Sequence, residues 1–317
     1  MSRPCVALRP AALRPAAFAL AFAVAFAVVG AGCAEHVRVP AQVPATDPSS
    51  AWARVLEGAI TPEGLDYAAI DAERVVLHQY LAWVGEHGPG RDDLREGDED
   101  RRVAFMANAY NAFVINDVLQ LQIQESVQEV GGGIWGLRPG SYFFAGRKHR
   151  IDGDWQTLFV LEHQDIIGRY QEPLVHMALN CASVGCPPVR YWRPRGLQGQ
   201  LRRSMRDWLA AGALRETDAG YAVSELLFWY EDDFVAGTGA DSLCDYLSDF
   251  TEGAAHTWLR RHRRRCTLER IPYDWSLNAA PPGSSAGRAP LVEAPLPEEP
   301  LPEDADIVED DDEDGQL

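Results

Sequence analysis

The stretch FMANAYNAFVINDVL, residues 105–119, decides the fold. It holds no glycine or proline, and its apolar side chains are too continuous to make a single face. A helix that is apolar nearly all round is covered on every side. RRVAFMANAYNAFVINDVLQLQIQ (101–124) is therefore expected to be the central helix, with the rest of the chain wrapped around it. Asn108 and Asn111 break the apolar pattern. Three positions apart, they share one face, and a buried amide needs partners for both its oxygen and its NH2 group. Two readings stand open: each asparagine pins the backbone of a neighbouring loop, or one of them orients a catalytic side chain or a ligand.

On the N-terminal side, GLDYAAIDAERVVLHQYLAWVGEH (64–87) opens with a short extended piece and continues as a helix. GPGRDDLREGDED is a charged loop. On the C-terminal side, GGGIWGLRPG lacks both the Lys-Ser/Thr ending of a phosphate loop and the spacing of a dinucleotide fingerprint, so it is read as a loop only. SYFFAGRKHRI (141–151) predicts a hairpin turning near Ala145-Gly146-Arg147. Asp152 or Asp154 would then cap a helix over WQTLFVLEHQDII, closed by Gly168. Glu162 falls on the apolar stripe of that helix, with His163 beside it. The carboxylate either accepts bonds from an arginine or backbone NH groups, or orients a histidine, or serves as an acid-base group.

LVHMALN (174–180) alternates and predicts a strand, placing His176 and Asn180 on one face and Cys181 in phase with the other. Cys181-Ala-Ser-Val-Gly-Cys186 then forms a loop, stopped by Pro187-Pro188. Further on come a helix over LQGQLRRSMRDWLAAGAL, a short strand YAVS (221–224) leading into ELLFWYEDDF, and helices over SLCDYLSDF and AAHTWLRRHRRRC. The arginines at 260–265 are a solvated face, a contact for anionic lipid heads, or a contact for the chain's own acidic tail. ERIPYDWSLN (269–278) closes the domain as an extended segment.

The ends read differently. Residues 1–33 carry three arginines, an apolar run from Ala16 to Val29 and then Gly30-Ala31-Gly32-Cys33, the order of a secretory signal. A cysteine after small residues resembles a bacterial lipoprotein signal, with Cys33 lipidated as the first mature residue. A simple cleaved signal and an uncleaved anchor are the alternatives, and all three place the remainder outside the cytoplasm. Residues 34–50 are Pro-rich and read as a tether. Residues 279–317 read as a disordered acidic tail, since Glu293 to Asp314 contains twelve acidic residues and no basic one. The whole-chain charge of -18 thus overstates the folded part: residues 33–290 hold 35 acids against 26 bases. A mildly acidic domain lacks the footprint of a nucleic-acid binder. Lys148 is the only lysine, so Schiff-base chemistry would rest on that residue alone.

FMANAYNAFVINDVL, the helix carrying LEH, HMALNCASVGCPP (176–188), SELLFWYEDDF and the closing YDWSLN occur in an order that resembles the domain of unknown function 547 family, over about residues 60–278. The resemblance implies a shared fold and cleft but no reaction. Carried over position by position, it implies Asn108, Tyr110, Asn111, Glu162, His176, Asn180, Cys181, Ser183, Cys186 and Pro187, with Tyr273, Asp274, Trp275 and Asn278 at the end. Bacterial members of that family are often secreted or lipid-anchored, which agrees with the signal.

Beyond Cys33, cysteines 181, 186, 244 and 266 remain and can pair in three ways. Outside the cytoplasm, a Cys181–Cys186 disulfide is one reading of the loop. A free, reactive Cys181 is another, with His176 or His163 as base and Asn111 or Glu162 as the orienting group. His176-x4-Cys181-x4-Cys186 is not a usual zinc spacing, and Ser183 lacks the Gly-x-Ser-x-Gly elbow. The expectation is one helix-rich α+β globular domain over 51–278, with a small, mainly antiparallel sheet built partly from 141–151 and 174–180. No metal, cofactor or nucleic acid is expected. The domain is expected to be held through Cys33 at a bacterial membrane, on the periplasmic side or the cell surface. Its function is expected to be that of a module binding a protein or small molecule through Asn108, Tyr110, Asn180 and Ser183. The alternative is a hydrolase or acyltransferase using Cys181.

Overall fold

The structure is a computed structural model describing residues 34–88, 99–131, 139–170, 172–236 and 238–287. The signal segment with Cys33, most of the two loops before and after the central helix, and the acidic run lie outside the described residues.

In chain order, β1 (Glu35–His36) leads to α1 (Ser49–Ala59), β2 (Ile60–Thr61), β3 (Gly64–Leu65), α2 (Tyr67–Ala72) and α3 (Arg74–Glu86). Then come α4 (Glu99–Gln120), α5 (Ser141–Ala145), β4 (Arg147–Ile151), β5 (Asp154–Thr157) and α6 (Leu158–Val160). The second half holds α7 (Gly168–Tyr170), α8 (Leu197–Trp208), β6 (Leu214–Thr217), β7 (Gly220–Ser224), α9 (Glu225–Trp229), α10 (Glu231–Val235), α11 (Leu243–Ser248), α12 (Gly253–His262) and β8 (Glu269–Ile271). The architecture is α+β, helix-rich, with small sheets that are mainly antiparallel. The two parallel pairings, β1 with β4 and β7 with β8, each join an edge strand from a distant part of the chain.

Helix α4 is the axis of the core. Residues 106–118 are all buried, Tyr110 and Phe113 among the largest side chains fully enclosed. Trp52 and Leu56 of α1 and Leu77, Leu81 and Val84 of α3 belong to the same apolar cluster. The helix expected after the short extended piece of 64–87 is broken at Glu73, with Asp66 capping its first part through Ala69 N (3.1 Å).

Three local expectations are corrected. Residues 141–145 are a helical turn rather than a strand, and the hairpin is β4–β5, turning at Asp152-Gly153. Both turn residues have positive φ, 51° and 82°. An Asp-Gly pair of that kind matches the twist of the flanking strands, so Asp152 makes the turn, and Thr157 caps the following helix through Val160 N (3.2 Å). Residues 173–178 form a 3₁₀ turn, not a strand. Pro173 starts it, and Glu172 accepts from Leu174 N (3.2 Å). Every residue from Pro173 to Asn180 is buried, so the alternation of polar and apolar types marked no face.

Described residues flanking the expected domain on both sides, 35–37 and 280–285, pack against it. Residues 35–37 lie along β4, Val37 is buried, and Glu35 bonds Arg147 (3.1 Å) and Tyr142 (2.6 Å). At the other end Ala280 is buried and Ser285 Oγ donates to Asp66 (2.8 Å). A disulfide from Cys244 to Cys266 ties α11 to the segment beyond α12. Closing a loop of that length contributes about 3 kcal/mol in the chain-entropy account. Two of the clustered arginines face acids of the same region, Arg260 with Asp245 (3.0 Å) and Arg264 with Asp241 (3.8 Å).

Candidate functional site: a disulfide loop, a tyrosine-held carboxylate and a groove

The loop 181–188 hangs from asparagine. Asn180 Nδ2 donates to Pro187 O (2.7 Å), while its Oδ1 accepts from Ala182 N (2.8 Å) and Asn278 Nδ2 (3.0 Å). This holds Ala182 at φ 62°, a left-handed conformation that costs a non-glycine residue roughly 1 kcal/mol. The closing segment lies antiparallel to the loop. Val184 N bonds Ser276 O (2.8 Å), Gly185 N bonds Asp274 O (2.9 Å) and Asn278 N bonds Ala182 O (3.1 Å). At Gly185 a Cβ would come within 2.9 Å of the Tyr273 ring, so this approach requires glycine.

Asn108 and Asn111 act in the same manner. Asn111 donates to Ala178 O (2.8 Å) and accepts from Asn180 N (2.9 Å). Asn108 donates to Trp192 O (2.8 Å) and accepts from Trp192 N (2.8 Å). Each amide replaces a stretch of missing sheet partner for the chain running past α4. Both asparagines therefore pin backbone, the first of the two readings left open by the sequence.

Cys181 and Cys186 are joined in a disulfide. Tyr273 places its hydroxyl 3.0 Å from Cys181 Sγ and 2.9 Å from Cys186 Sγ. Cys181 N donates to Cys186 Sγ (3.0 Å), and Ser183 Oγ stands 3.6 Å from Cys181 Sγ. Burial pushes the Tyr273 phenol well up, against the opposing pull of its bond with Ser183, so it stays a donor at neutral pH.

Neither candidate base meets the sulfur. His176 Nε2 lies 3.0 Å from Asp233 Oδ2, and its ring packs on Tyr230 and Phe234. His163 Nδ1 bonds Phe159 O (3.1 Å) and its ring stacks on Phe159. Glu162 sits on a π-helical turn, Leu161–Ile167, that continues α6. Its partner is a phenol rather than an arginine or backbone NH groups. Tyr110 donates to its Oε2 (2.8 Å), and the Tyr230 phenol lies near enough to feel its charge. Burial, then the carboxylate, holds both phenols protonated. Trp229, Tyr273 and Trp275 form a half-buried aromatic cluster with centroids 4.7–6.0 Å apart. Tyr273 thus joins the aromatic cluster to the disulfide. Tyr230 and Asp233 were not singled out in the sequence, although both lie in the FWYEDDF segment.

On one side of the loop opens a groove of about 470 Å³. Its walls come from residues 60–65, 183–189, 208–215 and 271–274, and Asn180, Ser183, Ser224 and Arg215 bring polar groups to it. Cys186 and Tyr273 line it too. Asn108, Tyr110, Asn111 and Glu162 lie apart, among the core contacts described above. Among the described residues no group of three His, Cys, Asp or Glu side chains converges as a metal site would require, and no helix is long and apolar enough to cross a membrane.

A family model described as "Protein of unknown function, DUF547" matches residues 94–209, which takes in α4, the Glu162 turn, the disulfide loop and α8. No curated protein and no solved structure matches the chain.

Proposed function

We propose that the chain is an extracytoplasmic binding module, tethered to a bacterial membrane through a lipidated Cys33, whose ligand enters the groove beside the 183–186 loop. The observation that carries the reading is the groove itself. Its volume of about 470 Å³ falls in the range of small-molecule sites, and its lining mixes apolar walls with a few polar residues. The anchor rests on the sequence of residues 1–33, and the two disulfides agree with a compartment outside the cytoplasm. The hydrolase or acyltransferase reading needs a Cys181 thiolate beside a histidine. The bond to Cys186 and the positions of His163 and His176 speak for binding over that chemistry.

Photo-crosslinking tests the proposal in cells. A photoreactive residue goes at Val184, which lines the groove and is 54% exposed, and, as control, at Val75 on α3, 70% exposed. The expected result is a discrete adduct from position 184 only, recovered in the membrane fraction on the lipid-modified chain. Identical adduct patterns at both positions would refute the groove. An unlipidated chain in the soluble fraction would refute the anchor.

A further inference from the structure

We propose that Cys181–Cys186 is a thiol–disulfide exchange site that takes electrons from a dithiol, small or protein-borne, rather than a structural staple. The inference goes beyond the binding reading and does not depend on it.

Three observations carry it. The bond adds little to the fold, because its ends lie only 5 positions apart and the loop is already held by Asn180, Ser276, Asp274 and Asn278. A disulfide stabilises chiefly by closing long, otherwise free loops. Cys244–Cys266, whose ends lie 22 positions apart, is of that second kind. Next, the sulfurs face donors: Cys186 Sγ has the Cys181 N–H and the Tyr273 hydroxyl, at 3.0 and 2.9 Å. Such bonds gain most strength when the sulfur carries charge, so they favour the reduced pair and make Cys186 the better leaving group. Finally, access is asymmetric. Cys181 is partly exposed while Cys186 is buried.

The exchange then runs in one sense. The reductant's thiolate attacks Cys181 Sγ, a mixed disulfide forms, and the Cys181–Cys186 bond breaks. Cys186 leaves as a thiolate, accepting from Tyr273 and from the Cys181 amide. The reductant's second thiol loses its proton to solvent, attacks the reductant's own sulfur in the mixed disulfide and releases Cys181 as a thiolate. Two electrons have passed to the protein pair, and the dithiol has become a disulfide. Tyr273 donates a hydrogen bond throughout and transfers no proton.

The test is a redox titration of the oxidised protein with dithiothreitol at pH 7, each pair being read by alkylation and mass spectrometry. Cys181–Cys186 is expected to be half-reduced at a reduced-to-oxidised dithiothreitol ratio at least tenfold lower than Cys244–Cys266. Tyr273→Phe is expected to raise the ratio needed at Cys181–Cys186 about tenfold, the worth of one charge-assisted bond, and to leave Cys244–Cys266 unmoved. Joint reduction of the two pairs would overturn the proposal, as would a Tyr273→Phe variant with unchanged poise. Should that variant not fold, the pH profile of alkylation in the reduced wild-type protein decides. Cys186 should titrate below the ordinary cysteine value of about 8.5, and titration at or above it would overturn the proposal.

Discussion

Asp117→Ala is expected to lower the unfolding free energy by about 3–5 kcal/mol, the cost of breaking a buried ion pair from one side. Asp117 sits on α4 with no exposed surface. Its Oδ2 accepts from Arg147 Nε (3.0 Å) and lies 3.2 Å from His149 Nε2, while Oδ1 accepts from Arg147 Nη2 (3.3 Å). Removing the carboxylate leaves a guanidinium that is only 3% exposed with Glu35 and Gln120 as its remaining acceptors. Glu35 is half exposed, so it compensates weakly. The same guanidinium anchors β1 to β4, so the N-terminal strand should loosen with it. Urea unfolding checks the value: the midpoint should fall at an unchanged slope. A loss below about 1 kcal/mol, the worth of a surface pair, would show that Asp117 does not clamp β4 to α4.

Asn111→Leu is expected to cost about 3 kcal/mol, since it orphans the buried Asn180 N–H and removes a bond from Ala178 O. The Ala178 carbonyl keeps Trp192 Nε1 (3.0 Å), so the loss falls mainly on Asn180 and on the loop hung from it. Asn111→Asp separates shape from bonding. It preserves volume and the acceptor for Asn180 but sets a carboxylate oxygen against the Ala178 carbonyl. It should destabilise at least as much as leucine, as read by the same unfolding curves. A catalytic amide would instead tolerate leucine in stability and fail only in activity.

These two sites show what the chain's sequence could and could not disclose. The burial of α4 was legible because its apolar residues outnumber any single face. Asn108 and Asn111 were legible as anomalies, but their partners are backbone atoms 67–84 residues away, which no local pattern encodes. Glu162 was noticed for the same reason. Its phenol neighbours were not, since Tyr110 comes from α4 and Tyr230 from the junction of α9 and α10. The 173–178 turn was misread because alternation reports a face only where one side meets water. The hairpin at Asp152-Gly153 was missed because aspartate before a helical pattern also resembles a cap, and the choice depended on whether Trp155 to Thr157 were strand or helix. The strand at residues 35–36 was hidden by proline-rich neighbours, and its place is set by Arg147, more than a hundred residues later.

The central claim is that HMALNCASVGCPP builds one wall of a binding groove with its thiols joined, rather than presenting a nucleophile. The most direct test is alkylation of the folded protein, isolated without reductant and probed at native pH, followed by proteolysis and mass spectrometry. The account predicts that Cys181 and Cys186 resist the reagent and are recovered as one linked peptide, beside a second linking Cys244 and Cys266. Stoichiometric labelling of Cys181 in the folded protein would contradict it and return the stretch to the reading of a reactive thiol.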